Sequence, residues 1–313
     1  MKYVISEKES GLALRDILKH GVGLSSAFIK SLKFLENGIL LNGERVTVRH
    51  TVRAGDVLTL ATEDLQSGES LTPADIPLEV VYEDSFMVLP NKPPFMPTHP
   101  SHLHHGDTLA DALAFRYVSL GTPFVFRPIN RLDRNTSGIT LIARDRISAA
   151  RLTESMRNGS IKKQYAAILC GSLPDGEVIE TYMRRTDASI IVREVCDADS
   201  GGDYALTRYR ILMRKNGHTL VLASPVTGRT HQLRVHFAHL GCPILGDDMY
   251  GEQSELIPRH ALHALRLRLP HPQSGEDMIL TAPLPDDMRS AMSAIFGRIP
   301  AELFDRDFGL EKQ

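Results

Sequence analysis

The sequence predicts an α+β protein, a mixed and largely antiparallel sheet preceded by a small α/β unit. Three observations predict it. Candidate strands greatly outnumber candidate helices beyond residue 78. Those strands do not alternate with helices as they would in a doubly wound fold. A polar, acidic stretch without periodicity, ATEDLQSGESLTPADI at residues 62–77, reads as a linker that sets off residues 1–61. With 313 residues the chain is long enough for two domains, one of them small.

In the first unit, MKYVIS alternates like a short strand. Leu14, Ile17 and Leu18 share one helical face in LALRDILKH, and Gly21 and Gly23 break that helix. Ser25 or Ser26 can cap a second helix, SAFIKSLKFLENG. Asn42-Gly43 is a hairpin signal between Ile39–Leu41 and Glu44–Val46, and VLTL supplies a closing strand.

The second unit, residues 78–290, opens with paired strands LEVVYED and FMVLPNK. Further strands are predicted at ITLIARD, QYAAILCG, ALTRYRILMR, HTLVLASPV, ALHALRLRL and MILTAPL. Helices are predicted at TLADALAFRYV, ISAARLTESMRNG and THQLRVHFAHLG. In the last of these, Leu233, Phe237 and Leu240 form the buried stripe, with Arg234 beside it. The stretch after about Pro285 reads as a helical tail without assigned function, with residues 291–313 outside the second unit.

Composition narrows the function classes. Hydrophobic residues make up 42% and charged residues 24%, as in ordinary globular proteins. The net charge of −2 does not announce a nucleic-acid partner, so an RNA-directed protein of this composition must concentrate its basic residues on one face. Cys170, Cys196 and Cys242 are far apart and form no CxxC pair, which suits reduced thiols in a cytoplasm. The opening MKYVISEKES carries charge too early for a secretory signal, and no apolar run is long enough to span a bilayer. The chain is expected to be cytoplasmic, monomeric and without a membrane partner.

The chemistry concentrates in RPINRLDRNTSGITLIARD, residues 127–145. Asp133 lies among Arg127, Arg131 and Arg134, which would favour its ionised form and could hold phosphates. Taken alone, the same residues are better explained by a surface salt bridge at a strand entrance.

The string RLDRNTSG resembles the RLDxxTSG motif of the RluA-type pseudouridine synthases. LPNKPPFMPTHPS (89–101), KKQYAAILCG (162–171), TGRTHQLRVHFAHLGCPILGDDMYG (227–251) and ALHALRLRLPHPQSGE with TAPLP (261–283) resemble further segments of that family, in its order. The first 61 residues resemble an S-four-type RNA-binding domain, on the helix–helix order with LNGERV and VRAGDVLTL.

This resemblance implies an RNA uridine isomerase that needs no cofactor. It assigns the catalytic roles to Asp133, Tyr165 and Arg234: the aspartate as nucleophile, the tyrosine as stacking platform and proton-transfer group, and the arginine as the partner of the aspartate. It implies substrate binding by Lys92, His99, Asn130, Arg131, Thr136, Arg229 and His231. RNA-phosphate contacts fall to Arg15, Lys19, Lys30, Lys33 and Arg45. The partner implied is structured RNA, with ribosomal RNA favoured over transfer RNA. Two positions depart from the family pattern: Asn130 replaces the usual His, and Phe95 the usual Gly. A catalytically silent RNA-binding module is the competing reading. The His99, His102, His104, His105 and His231, His236, His239 groups invite a metal-dependent hydrolase instead, but lack an HExxH arrangement, and no metal is expected.

Overall fold

The computed structural model describes residues 1–61, 71–101 and 104–305. The expected linker falls largely outside these residues, as do His102 and residues 306–313 of the expected tail.

The first unit is a four-stranded antiparallel sheet, β1 (Lys2–Val4), β2 (Ile39–Leu41), β3 (Glu44–Arg45) and β4 (Val57–Leu60), in the order β1-β4-β2-β3. Helices precede the hairpin. The short α1 (Leu14–Asp16) continues as a wider π turn through Gly21, and α2 (Ser26–Lys33) is capped by the Ser25 hydroxyl, which accepts from Phe28 N. Asn42 and Gly43 hold positive φ angles of 53° and 86°, the hairpin geometry that Asn-Gly favours. Leu14, Ile17, Leu18, Leu32 and Leu58 close the small core. That core does not end at the linker. Ile147 of α4 (Arg146–Arg157) belongs to it, and Arg151 Nε donates to Val22 O at 2.7 Å. The first unit is therefore seated on α4.

The second unit is the expected mixed, largely antiparallel sheet. Its strands are β5 (Glu79–Glu83), β6 (Met87–Lys92), β7 (Arg127–Pro128), β8 (Ser137–Ile139), β9 (Ile142–Ala143), β10 (Lys162–Cys170), β11 (Val178–Arg185), β12 (Arg193–Cys196), β13 (Asp203–Lys215), β14 (His218–Pro225), β15 (Leu262–Pro270) and β16 (Asp277–Thr281). They run in the order β12-β11-β13-β14-β10-β15-β8-β6-β9-β7, with β16 on β15 and β5 on β6. The β8–β15 pair is parallel, and every other strand pair of this sheet among the described residues is antiparallel. Gly138 has φ +114°, and a Cβ there would lie 2.3 Å from Ala264 O, so the close approach of β8 to β15 requires glycine.

Helices lie at Leu109–Ser119 (α3) and Gln232–His239 (α5) besides α4. Thr108 and Asp111 form a capping box on α3, and Asp145 caps α4. The hairpin β11–β12 was not foreseen. Its strands are half-exposed and carry charges on either face, so the hydrophobic alternation that marks a strand is weak.

The C-terminal helix α6 (Asp286–Phe296) crosses the expected boundary at residue 290. Met288, Ala291, Met292, Ile295 and Phe296 are buried in the main core, each large side chain contributing about 1.5–3 kcal/mol. Among the described residues, no helix is long and apolar enough to cross a membrane.

Candidate active site

A cavity of about 300 Å³ opens where the 130–136 turn, β10, the end of β14 and the start of α5 meet. Asp133, Tyr165 and Arg234 line it together, and so do Asn130, Arg131, Thr136, Arg229 and His231. Lys92 and His99 do not.

The turn bearing Asp133 closes with Thr136 N donating to Asp133 O at 3.1 Å. It is braced from two sides. On one side, Lys92 Nζ donates to the carbonyls of Pro93, Met96 and Arg134 at 2.9, 2.8 and 3.1 Å, and Thr98 Oγ1 donates to Leu132 O at 2.9 Å. Lys92 is fully buried, so the expected substrate-binding role is corrected: its ammonium serves backbone carbonyls and cannot reach a ligand. Burial pushes its pKa down to about 7, with Arg259 adding to the fall and Asp133 opposing it. The His99 ring lies edge-on to Phe126 at 5.4 Å, outside the cavity lining.

On the other side, Arg259 Nη1 donates to Asn135 O at 3.0 Å, while Thr136 Oγ1 and His260 Nε2 share a 2.8 Å hydrogen bond. Arg259 is itself held by Asp287 of α6 at 2.7 and 3.0 Å. The helix read as a functionless tail thus reaches the turn through one buried guanidinium.

Arg234 is nine-tenths buried or more, and its Nε and Nη2 donate to the two carboxylate oxygens of Asp247, each at 2.7 Å. Its remaining terminal nitrogen, Nη1, lies 3.6 Å from Asp133 Oδ2. Burial disfavours its charge, but Asp247 and Asp133 outweigh that and hold its pKa above the ordinary arginine value. Burial likewise works against the Asp247 carboxylate, yet the Arg234 hydrogen bonds keep its pKa below the ordinary range.

Tyr165 sits at a bulge: the β10–β15 register shifts between Gln164 and Ala166, an irregularity that re-aims a side chain. Its phenol pKa is raised by burial and by Asp133, so it stays protonated at neutral pH. His231 begins α5 with φ 58°, a left-handed conformation uncommon outside glycine. One ring nitrogen hydrogen-bonds Tyr250 Oη at 2.9 Å and the other lies 3.8 Å from Asp133. Burial lowers its pKa despite the pull of Asp133, which keeps the imidazole neutral.

The departures from the family pattern find physical accounts. Asn130 Oδ1 accepts from Leu141 N at 2.7 Å, a fixed acceptor role that an amide fills. Phe95 keeps the left-handed backbone that glycine favours, with φ 64°, and leaves its ring 45% exposed. Of the expected RNA-binding residues, Lys33 and Arg45 meet at the rim of a second cavity of about 460 Å³, Lys30 is exposed, Lys19 is half-buried, and Arg15 lies 3.9 Å from Asp16. The histidine groups disperse: His104 pairs with Asp107 and His236 with Thr181, and among the described residues no group of three or more His, Cys, Asp or Glu could hold a metal ion.

Sequence reasoning missed Asp247, Tyr250, Arg259, His260 and Thr98. All lie in or beside segments that matched the family, and this was the signal available for finding them.

A family model described as RNA pseudouridylate synthase matches residues 86–239. The chain is 35% identical to an RNA pseudouridine synthase of Bacillus subtilis, YjbO, itself described as uncharacterized, over 85% of this chain and 94% of the relative. It is also 35% identical to ribosomal large subunit pseudouridine synthase D of Xanthomonas campestris, over 82% of this chain and 80% of the relative. Among solved structures, human RNA pseudouridylate synthase domain containing 1 superposes with a TM-score of 0.57 at 27% identity, covering 69% of this chain and 87% of that one.

Proposed function

The chain belongs to the RNA pseudouridylate synthase family and is an RNA pseudouridine synthase; from that premise we propose that it isomerises a uridine of ribosomal RNA in the cytoplasm, with Asp133 as the nucleophile. One observation carries the assignment: the Asp133 carboxylate, 26% exposed, faces the cavity with Arg234 3.6 Å behind it.

An ionised carboxylate set against a sugar can attack the anomeric carbon, as glycosidase carboxylates do. The glycosidic bond breaks as an Asp133–ribose ester forms, the freed uracil turns within the cavity, and its carbon 5 attacks the same ribose carbon, breaking the ester and releasing the carboxylate. Carbon 5 gives up its proton and nitrogen 1 takes one up. Arg234 orients the Asp133 carboxylate and offsets its negative charge. A phenol held protonated, as at Tyr165, offers a ring for the base to stack on and a donor for hydrogen bonding or proton relay. Thr136, Asn130, His231 and Arg229 shape the walls that retain the free uracil and exclude water.

The target uridine must leave its stack, at a cost of a few kcal/mol. Arg131 is exposed at the cavity mouth and is suited to fill the vacated space or hold a flanking phosphate. The first unit, with Lys30, Lys33 and Arg45 exposed and Arg15 and Lys19 on the other helix, acts as the S-four-type RNA-binding domain. Ribosomal RNA is favoured because relatives such as that of Xanthomonas campestris are named for the large ribosomal subunit.

The test is tritium release from RNA labelled at uracil carbon 5 in a strain lacking this protein, with ribosomal and transfer fractions assayed separately. Release from the ribosomal fraction supports the reading. Release from transfer RNA alone replaces the substrate and leaves the chemistry.

A further inference from the structure

Beside the catalytic cavity lies another of about 290 Å³, lined by Met183, Arg184, Arg185, Arg193, Asp203, Gly228, Arg229 and Thr230. The two share Gly228, Arg229 and Thr230, so they adjoin along that loop. Half of its wall, Met183, Arg184, Arg185 and Arg193, belongs to the hairpin β11–β12, and β12 is an edge strand.

The charges there do not cancel. Arg184 is paired with Glu194 at 2.8 Å, and Arg229 lies 3.6 Å from Asp203. Arg185 and Arg193 stand directly opposite each other across the two strands. Like charges at such positions destabilise a hairpin. The Arg193 guanidinium turns back onto the carbonyls of Ile190, Ile191 and Val192 at 2.9–3.2 Å, which fixes the hairpin turn. Arg185 is exposed and has no carboxylate opposite it. An arginine pair kept against its own repulsion, beside a site for a nucleotide, suits an anion that threads past: the phosphodiester backbone. The turn also exposes Ile190 and Ile191, at 80% and 55%, which gives the strand an apolar surface next to the charged one.

We infer that the hairpin β11–β12 is an RNA-backbone subsite, in which Arg185, with Arg184 and Arg193 beside it, binds a phosphate of a nucleotide flanking the target uridine. This rests on the RNA-directed reading above and extends it to a surface outside the catalytic cavity.

The test measures the affinity of the full chain for total ribosomal RNA from a strain lacking it, across a salt series, for wild type, Arg185→Ala and Arg185→Lys. Arg185→Ala is expected to weaken binding about tenfold and to reduce the salt slope by roughly 0.7 for a lost single-strand phosphate contact. In turnover the loss falls on KM more than on kcat. Arg185→Lys keeps the charge and is expected to restore most of the slope, which a merely unfolded hairpin would not do. Wild-type affinity and slope in Arg185→Ala overturn the inference. Tritium release by wild type, measured on the same RNA, tests the ribosomal-RNA reading separately: Arg185-dependent binding without release upholds the backbone contact and removes ribosomal RNA as the substrate.

Discussion

Arg234 divides its guanidinium between two aspartates: it is bidentate to Asp247 at 2.7 Å on each arm, and its remaining terminal nitrogen lies 3.6 Å from Asp133. Asp247 thus fixes the plane of the charge that faces the nucleophile. Its backbone neighbours strengthen the hold, with Met249 N and Tyr250 N donating to the same carboxylate at 3.1 and 3.2 Å. The Arg234 guanidinium also lies 5.0 Å over the Tyr250 ring.

Asp247→Ala leaves a buried arginine with only the more distant Asp133 as charge partner. It is expected to cost about 3–5 kcal/mol in stability, measured by urea denaturation. Where the protein still folds at low temperature, turnover is expected to fall on the order of a hundredfold, as a mispositioned site group implies. Asp247→Asn retains the shape and one acceptor and is expected to lose less stability than the alanine variant.

Tyr165→Phe removes a buried hydroxyl beside Asp133 while keeping the ring. Turnover is expected to fall about a hundredfold or more, with RNA affinity within about twofold because stacking survives. Since burial and Asp133 raise the phenol's pKa, its proton is retained in the folded enzyme well past pH 8. The pH profile of wild-type kcat is therefore expected to show no ionisation of Tyr165 between pH 7 and about 10.

The site was only partly legible in the sequence, for a physical reason. Asp133 and its turn are contiguous, so one motif carries them. The partner of Arg234 is supplied by a distant loop in which Asp247 and Asp248 are adjacent, and only folding buries the first and exposes the second. Lys92 matched a family segment and was read as facing substrate, whereas the fold turns it inward to hold the turn. The strands of the central sheet were legible from their apolar runs. The hairpin β11–β12 was not, because its charges fall on either face.

Asp287→Asn tests whether α6 supports the catalytic turn. It removes the charge that holds Arg259, whose Nη1 supports Asn135 O at 3.0 Å. Stability is expected to fall by about 3 kcal/mol. Turnover is expected to fall with unchanged RNA affinity, measured under conditions where circular dichroism shows the variant fully folded. A truncation after Pro285 removes the buried Met288, Met292, Ile295 and Phe296 and is expected to prevent folding at 37 °C.

Phe95→Gly tests the loop departure. A left-handed backbone costs a non-glycine residue about 1–2 kcal/mol, so the glycine variant is expected to gain up to about 1 kcal/mol after its extra chain entropy is counted. If the exposed ring stacks on RNA, affinity falls by about 1–3 kcal/mol at the same time; calorimetric melting and filter binding separate the two effects.

The central claim is that Asp133 performs the first covalent step. The measurement that reaches it is single-turnover tritium release by Asp133→Asn, an isosteric change, on carbon-5-labelled ribosomal RNA from a strain lacking the protein. The account predicts that release falls to background while RNA affinity stays within a few-fold of wild type. Release by Asp133→Asn at a rate near that of wild type would contradict it.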